Sequence, residues 1–193
     1  MNITFNADQS ELLAAVLIAR AADGHRPYIE GIRLERLPTA DTLAIATDGT
    51  VMTVANLGEV VGMPEHAFLA VPPKAIAALL KAVEAEWRDG TLSTQDARGN
   101  KALFPAPMPD VSFPDWRRIV ADIDDKPAAH CWGKPVLDLL GKTAKALGCG
   151  AITFARGGGA ALIRYGARCD VFSIAMAMRE PAGALHDVPF HLG

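Results

Sequence analysis

One stretch of this chain is what the rest is built around. It is Arg26-Pro-Tyr-Ile-Glu-Gly-Ile-Arg-Leu-Glu-Arg36, followed by Leu43-Ala-Ile-Ala-Thr-Asp-Gly-Thr-Val-Met-Thr-Val54. Ile32 and Leu34 alternate with Arg33 and Glu35, the period-2 signature of a half-buried strand. A polar turn from Pro38 to Asp41 leads into a second strand, Leu43 to Ala46. Asp48-Gly49 then marks a hairpin, because glycine reaches positive φ without steric cost. Val51 to Ala55 returns as a third strand. Any antiparallel meander shares this pattern, so pattern alone leaves the fold open.

The neighbouring segments give the meander a context. Ile3 and Phe5 predict a short strand; Asp8 or Ser10 is expected to cap a helix carrying Leu12, Leu13, Val16 and Leu17. Strand, helix and three strands make a first unit over residues 1–57. His66 to Val71 reads as a strand, and Pro72-Pro73 opens a second helix. Ile76, Leu79, Leu80 and Val83 mark its apolar face, and Asp89-Gly90 ends it. Leu92 and Ala102 to Phe104 read as strands around an Arg98-Gly99-Asn100 turn.

Prolines 105, 107, 109 and 114 indicate a linker. Ala128 to Trp132 reads as a further strand, and Lys134-Pro135 opens a third helix burying Val136, Leu139, Leu140 and Leu147, with Gly148 as its stop. Three strands follow, Ile152–Phe154, Ala161–Tyr165 and Val171–Met176, around turns at Gly157–Gly159 and Ala167-Arg168. Lys74, Ile76, Leu79 and Leu80 match Lys134, Val136, Leu139 and Leu140 at a constant offset, which indicates an internal repeat. The expected fold class is α+β, built from repeated β-α-β-β-β units with antiparallel sheets and helices on one face.

Bulk properties exclude several classes. Half of the 193 residues are hydrophobic and 21% are charged, so a packed core is expected rather than disorder. The formal net charge of −3 argues against a protein that grips nucleic acid by overall electrostatics. No apolar run approaches a membrane span. The N-terminus lacks a basic start and apolar run, and Cys131, Cys149 and Cys169 form no C-x-x-C pair; a reduced, cytoplasmic protein is expected.

Four strings, in register, resemble the bacterial DNA polymerase III beta subunit, the sliding clamp. They are Arg26-Pro-Tyr-Ile-Glu-Gly31 with Ala46-Thr-Asp-Gly49, Val71-Pro-Pro-Lys74 before a helix, Phe113-Pro-Asp-Trp-Arg-Arg118, and Ala175-Met-Ala-Met-Arg179. The resemblance covers roughly residues 1–180. It implies a DNA-clamp-like architecture shortened to the middle domain and half of the last: a complete domain of two units over 1–112, a linker over 113–125, a half domain over 126–180, and a tail over 181–193.

What the resemblance implies about sites follows residue by residue. A groove for short hydrophobic peptides of polymerases and repair proteins would be lined by Ile29, Thr47, Gly49, Thr50, Val51, Met52, Ile174, Met176, Ala177, Met178 and Arg179. Methionines suit a surface accepting varied apolar ligands, and Arg179 could hydrogen-bond an acidic partner group. Met176 and Met178 read equally as ordinary strand residues. The family's His-Arg after Asp-Gly is Thr50-Val51 here, and its proline is Ala177, which implies altered selectivity. Duplex DNA would meet Arg20, Lys74, Lys81, Lys134, Lys142 and Lys145, placed on predicted helices, together with Tyr28; phosphate contacts of this kind read no bases. The same cations also fit the solvated face of amphipathic helices.

The implied function is that of a processivity-factor-like protein with no catalytic residues, no cofactor and no metal. The alternative is an adaptor that competes for clamp-binding motifs without encircling DNA. A homo-oligomer is expected, since an unpaired third unit leaves a sheet edge that invites pairing; a two-fold dimer joining two third units would complete one domain. His130-Cys131 lacks an orienting third group for nucleophilic chemistry. The histidines and cysteines show no zinc spacing, and Gly157-Gly-Gly159 lacks the strand-to-helix context of a phosphate loop.

Overall fold

The computed structural model describes residues 1–21, 24–121, 123, 132–156 and 160–176. Strand β1 (Asn2–Asn6) leads into helix α1 (Ala7–Leu17). Its cap is Asn6 and not Asp8 or Ser10: the Asn6 side chain accepts from the Gln9 amide at 2.9 Å while Gln9 returns the bond to the Asn6 amide at 3.0 Å. This reciprocal box satisfies two amides that otherwise lack partners. Next come β2 (Ile32–Arg36), β3 (Asp41–Thr47) and β4 (Val51–Glu59), the meander read from the sequence. The second unit supplies β5 (His66–Leu69), a 3-10 turn, the four-residue helix α2 (Ile76–Leu79), β6 (Ala82–Arg88), β7 (Thr91–Asp96) and β8 (Lys101–Pro105).

The second helix is shorter than its apolar spacing suggests. Val83, expected on its buried face, is 46% exposed on a strand. Ala85 and Trp87 carry the real signal, alternating inward along β6 behind a register shift between Ala82 and Glu84. Asp89-Gly90 is accordingly the turn between β6 and β7, not a helix stop. The proline-rich stretch read as a linker also holds a helix, α3 (Trp116–Ala121).

The third unit has helix α4 (Lys134–Ala146), then β9 (Ile152–Arg156), β10 (Ala160–Tyr165) and β11 (Val171–Met176). Val136, Leu140 and Leu147 are buried, and Gly148 adopts φ 63°, as a left-handed helix stop requires. Ala128–Cys131, Gly157–Gly159 and the tail lie outside the described residues.

Among the described residues two antiparallel sheets form, one of four strands ordered β1-β6-β7-β8 and one of seven ordered β5-β2-β3-β4-β11-β10-β9. The first two units exchange strands: β1 pairs with β6, and β5 pairs with β2. Gly31 permits the second exchange, since a Cβ there would lie 2.2 Å from the Leu69 carbonyl oxygen. Among the described residues the third unit joins the large sheet through β11, with Ile174 opposite Met52 and Ala175 opposite Val51. Helix α1 is buried on nearly every side and packs against both sheets, α2 and α4. Helix α3 covers the opposite face of the seven-stranded sheet, where Trp116 packs with Ile45, Met52, Val54 and Ile174. Strand alternation divides the two faces: Val51, Ala55, Val171 and Ala175 belong to the α1 side.

Candidate functional site

The β3–β4 hairpin is fixed by local hydrogen bonds. The Asp48 carboxylate accepts the Thr50 and Val51 amides at 2.7 and 2.8 Å. The Thr47 hydroxyl donates to the Val51 carbonyl at 2.8 Å and accepts the Gly49 amide at 3.0 Å. Gly49 takes φ 90°, and Arg26 Nη1 donates to the Asp48 carbonyl at 2.8 Å. The end of β11 lies against this turn, the Met176 amide donating to the Thr50 carbonyl at 2.9 Å. Ile29 comes to the same place because the Ala21 amide is shared between the Ile29 and Thr47 carbonyls, at 3.0 and 3.1 Å.

The structure therefore gathers Ile29, Thr47, Gly49, Thr50, Val51, Met52, Ile174 and Met176, while Ala177, Met178 and Arg179 lie outside the described residues. Their exposures differ sharply. Gly49, Thr50 and Met176 reach solvent, but Ile29, Val51, Met52 and Ile174 are each under 5% exposed. Val51 also points to the α1 side, away from Met52. Trp116 closes over Met52 and Ile174, and its own position is held from β2. The Trp116 indole donates to Glu35 Oε2 at 3.4 Å, Arg117 pairs with the same oxygen at 2.8 Å, and the Arg117 guanidinium lies 4.5 Å from the indole centroid.

A cavity of about 530 Å³ opens further along this face, lined by Val120, Leu162, Arg164, Arg168, Val171 and Phe172 among others. None of the described groove residues read from the sequence lines it. Its apolar floor is nevertheless continuous with them, because Leu162 pairs with Ile174 and packs with Val120 and Phe172 against the Trp116 cluster. Trp116, Val120, Leu162 and Phe172 are the residues the sequence reading missed. The signal was present in Phe113-Pro-Asp-Trp-Arg-Arg118, a string assigned to a linker.

On the α1 side a buried hydroxyl chain crosses the junction between first and third units. Ser173 Oγ lies 2.7 Å from Thr53 Oγ1 and 2.6 Å from the Tyr165 hydroxyl. Burial raises the Tyr165 hydroxyl above the usual phenol value, against the opposing pull of its bonds to Ser173, Thr143 and Thr53. At the rim, Arg168 holds Asp170 through two parallel bonds of 2.8 and 2.7 Å and reaches Glu11 on α1 at 3.3 Å. These bonds hold the Asp170 carboxyl below the ordinary carboxylate range.

The cationic positions divide as well. Lys134, Lys142 and Lys145 are exposed along α4, and Tyr28 is 41% exposed. Lys74 and Lys81 are exposed, but they sit on the 3-10 turn and on the turn after α2, not within a helix. Arg20 is a correction. It is only 9% exposed, donates to the Ala21 carbonyl at 2.8 Å, and its desolvated guanidinium has a lowered pKa despite the nearby Glu30. The chain turns inward after α1, so Arg20 does not reach solvent as its helical spacing implied. Among the described residues no group of three or more His, Cys, Asp or Glu gathers, and no helix is long and apolar enough to cross a membrane.

No family model matches the chain, and no curated protein matches it. Solved structures do. The DNA polymerase III subunit beta of Pseudomonas aeruginosa superposes with a TM-score of 0.59 at 16% identity, over 93% of this chain and 66% of that one. Its fold is that of the bacterial sliding clamp. The sliding clamp of Bartonella birtlesii, bound to griselimycin, gives 0.61 at 15% identity over 92% and 66%. The Thermotoga maritima beta subunit gives 0.59 at 12% identity over 93% and 65%. The α+β, antiparallel clamp architecture expected from the sequence holds, and the chain spans just under two thirds of these clamps' length.

Proposed function

We propose that this clamp-fold protein binds short hydrophobic peptide segments of DNA polymerases or repair proteins in the cytoplasm, as a non-catalytic factor. The organisation we infer is a complete clamp-like domain over 1–112 joined through 113–125 to a half domain over 126–180. The peptide would lie along the β4–β11 junction, entering beside Met176 and Thr50 and seating its apolar side chains in the cavity over Leu162 and Phe172. The observation that carries this reading is the unbroken apolar face from Met52 and Ile174 to that cavity, which runs beside exposed Arg164. An open, mostly apolar concavity with a few charged groups at its margin is the usual form of such a site. The Bartonella clamp, which shares this fold, is solved with griselimycin bound.

Fluorescence anisotropy with a labelled peptide carrying two apolar anchors tests this. Saturable binding at micromolar protein is expected, weakened at least tenfold by Phe172→Ala; binding that ignores Phe172→Ala, or its absence, refutes the proposal.

A contribution from duplex DNA rests on Lys134, Lys142, Lys145, Lys74, Lys81 and Tyr28. The adaptor reading, in which the chain never encircles DNA, is favoured by a specific observation. Helix α1 carries no Lys or Arg, and Arg20, which follows it, is buried. Retention on duplex DNA that falls with salt and with Lys142→Glu would select the DNA role.

A further inference from the structure

The cavity over Leu162 and Phe172 is electrically one-sided. Arg164 and Arg168 line it, and among the described residues no Asp or Glu does. In a chain of formal net charge −3 this is a local reversal of sign. The two arginines are not equivalent. Arg168 is occupied, holding Asp170 through bonds of 2.8 and 2.7 Å and reaching Glu11 at 3.3 Å, so carboxylates of its own chain offset its charge. Arg164 is exposed and makes no ion pair among the described residues.

Strand register fixes where that charge sits. In the β10–β11 ladder Ala160 lies opposite Met176, Leu162 opposite Ile174, and Arg164 opposite Phe172. Alternate residues of a strand share a face, so Ala160, Leu162 and Arg164 form one row along β10. Ala160 and Leu162 belong to the apolar surface around Trp116, and Arg164 ends it. Successive members of the row stand about 6.6 Å apart, two steps of strand rise. An extended peptide laid along the row has the same repeat. A side chain two positions from the one seated on Leu162 therefore falls beside Arg164, whereas the position between them points away.

We propose that the site selects acidic–apolar segments: a bulky apolar anchor on Leu162, with an Asp or Glu two residues away whose carboxylate meets Arg164. This rests on the peptide-binding reading above and adds a selectivity that the apolar face alone does not supply. Because Arg164 is exposed, the pair is screened by salt and discriminates between partners more than it tightens binding.

Fluorescence anisotropy on the full chain tests it, with labelled peptides that share the apolar anchor. One carries Gln throughout; the others carry a single Glu two positions before the anchor, two positions after it, or next to it. One of the two Glu peptides with the two-residue spacing should bind about two- to fivefold tighter than the Gln peptide at low salt, and the advantage should shrink as salt is added. Arg164→Gln should bring that ratio to one, and Arg164→Glu should reverse it in favour of a Lys peptide. Arg164→Lys should preserve the preference, which separates loss of charge from damage to the strand. Arg98→Gln, on the β7–β8 turn, should leave the ratio as it is. A wild-type ratio of one, an equal gain from Glu next to the anchor, or a ratio unmoved by both Arg164→Gln and Arg164→Glu overturns this proposal, while Phe172-dependent binding of the Gln peptide keeps the peptide site. Failure of every peptide to bind overturns both.

Discussion

The first and third meanders occupy one sheet, yet they are finished differently. β2-β3-β4 is closed on its free edge by β5, backed by the largely buried α1, and covered on its other face by α3. Among the described residues β9-β10-β11 joins the sheet through β11, and its helix, packed against α1 on one side, turns a polar strip to solvent. The difference teaches that the same local pattern gains unequal stability from its surroundings. The first meander is covered on both faces, and the third is held by the β4–β11 seam and by α4 against α1. That seam is correspondingly specialised, with the Thr53–Ser173–Tyr165 hydroxyl chain buried on one side and Arg168 with Asp170 and Glu11 at the rim.

Breaking the seam should therefore uncouple the two meanders. Tyr165→Ala removes a fully buried ring and is expected to cost about 4 kcal/mol, as large-to-small core changes do. Hydrogen exchange should then show β9–β11 amides losing protection while β2 and β3 keep theirs; equal loss in both would show a single cooperative body. Trp116→Ala attacks the other meander's cover and should cost about 3 kcal/mol. It should also expose Met52 and Ile174, read as a gain in binding of a hydrophobic dye at unchanged secondary structure.

Tyr165→Phe sharpens the comparison, because it deletes one hydroxyl and leaves Ser173 bonded to Thr53. A loss of about 1 kcal/mol in denaturant unfolding is expected. The smallest effect concerns pH. The Asp170 carboxyl is held low by Arg168, so its contribution is complete above the unfolded carboxylate value of about 3.9 and is lost as pH falls through the depressed folded value. Asp170→Asn should lower stability at neutral pH by less than about 1 kcal/mol, since the pair is largely hydrated. The gap between wild type and variant should close in acid; a gap that stays constant with pH would remove the charge from the explanation.

Much of this was legible in the residues, and the failures have definite causes. The meanders were readable because alternation and Asp-Gly or Gly turns act over a few residues, where tertiary context intrudes least. β6 was misread as helix because Ile76, Leu79, Leu80 and Val83 fall at helical spacing. The register shift after Ala82 put Val83 outside the core, and Ala85 and Trp87 alone were too short a pattern. α3 was hidden by its prolines, although Asp115 accepts the Arg118 amide at 3.4 Å in a recognisable helix start. Arg20 was placed outside because spacing reports which face a residue occupies and not how the chain turns after a helix. The residues that gather at the β3–β4 turn and β11 were named from the sequence, but their covering was not, because Trp116 lies far along the chain from both Met52 and Ile174.

The strand exchange between the first two units has a consequence for how the chain is made. Asn2 finds its partner only at Arg88, and Ile32 only at Leu69. A ribosome making this chain must expose β1 long before β6 exists, so β1 waits unpaired until the residues up to Arg88 have followed. Closing contacts so distant in sequence is slow. Newly made chains should thus depend on protection of that first segment more than their final stability would suggest.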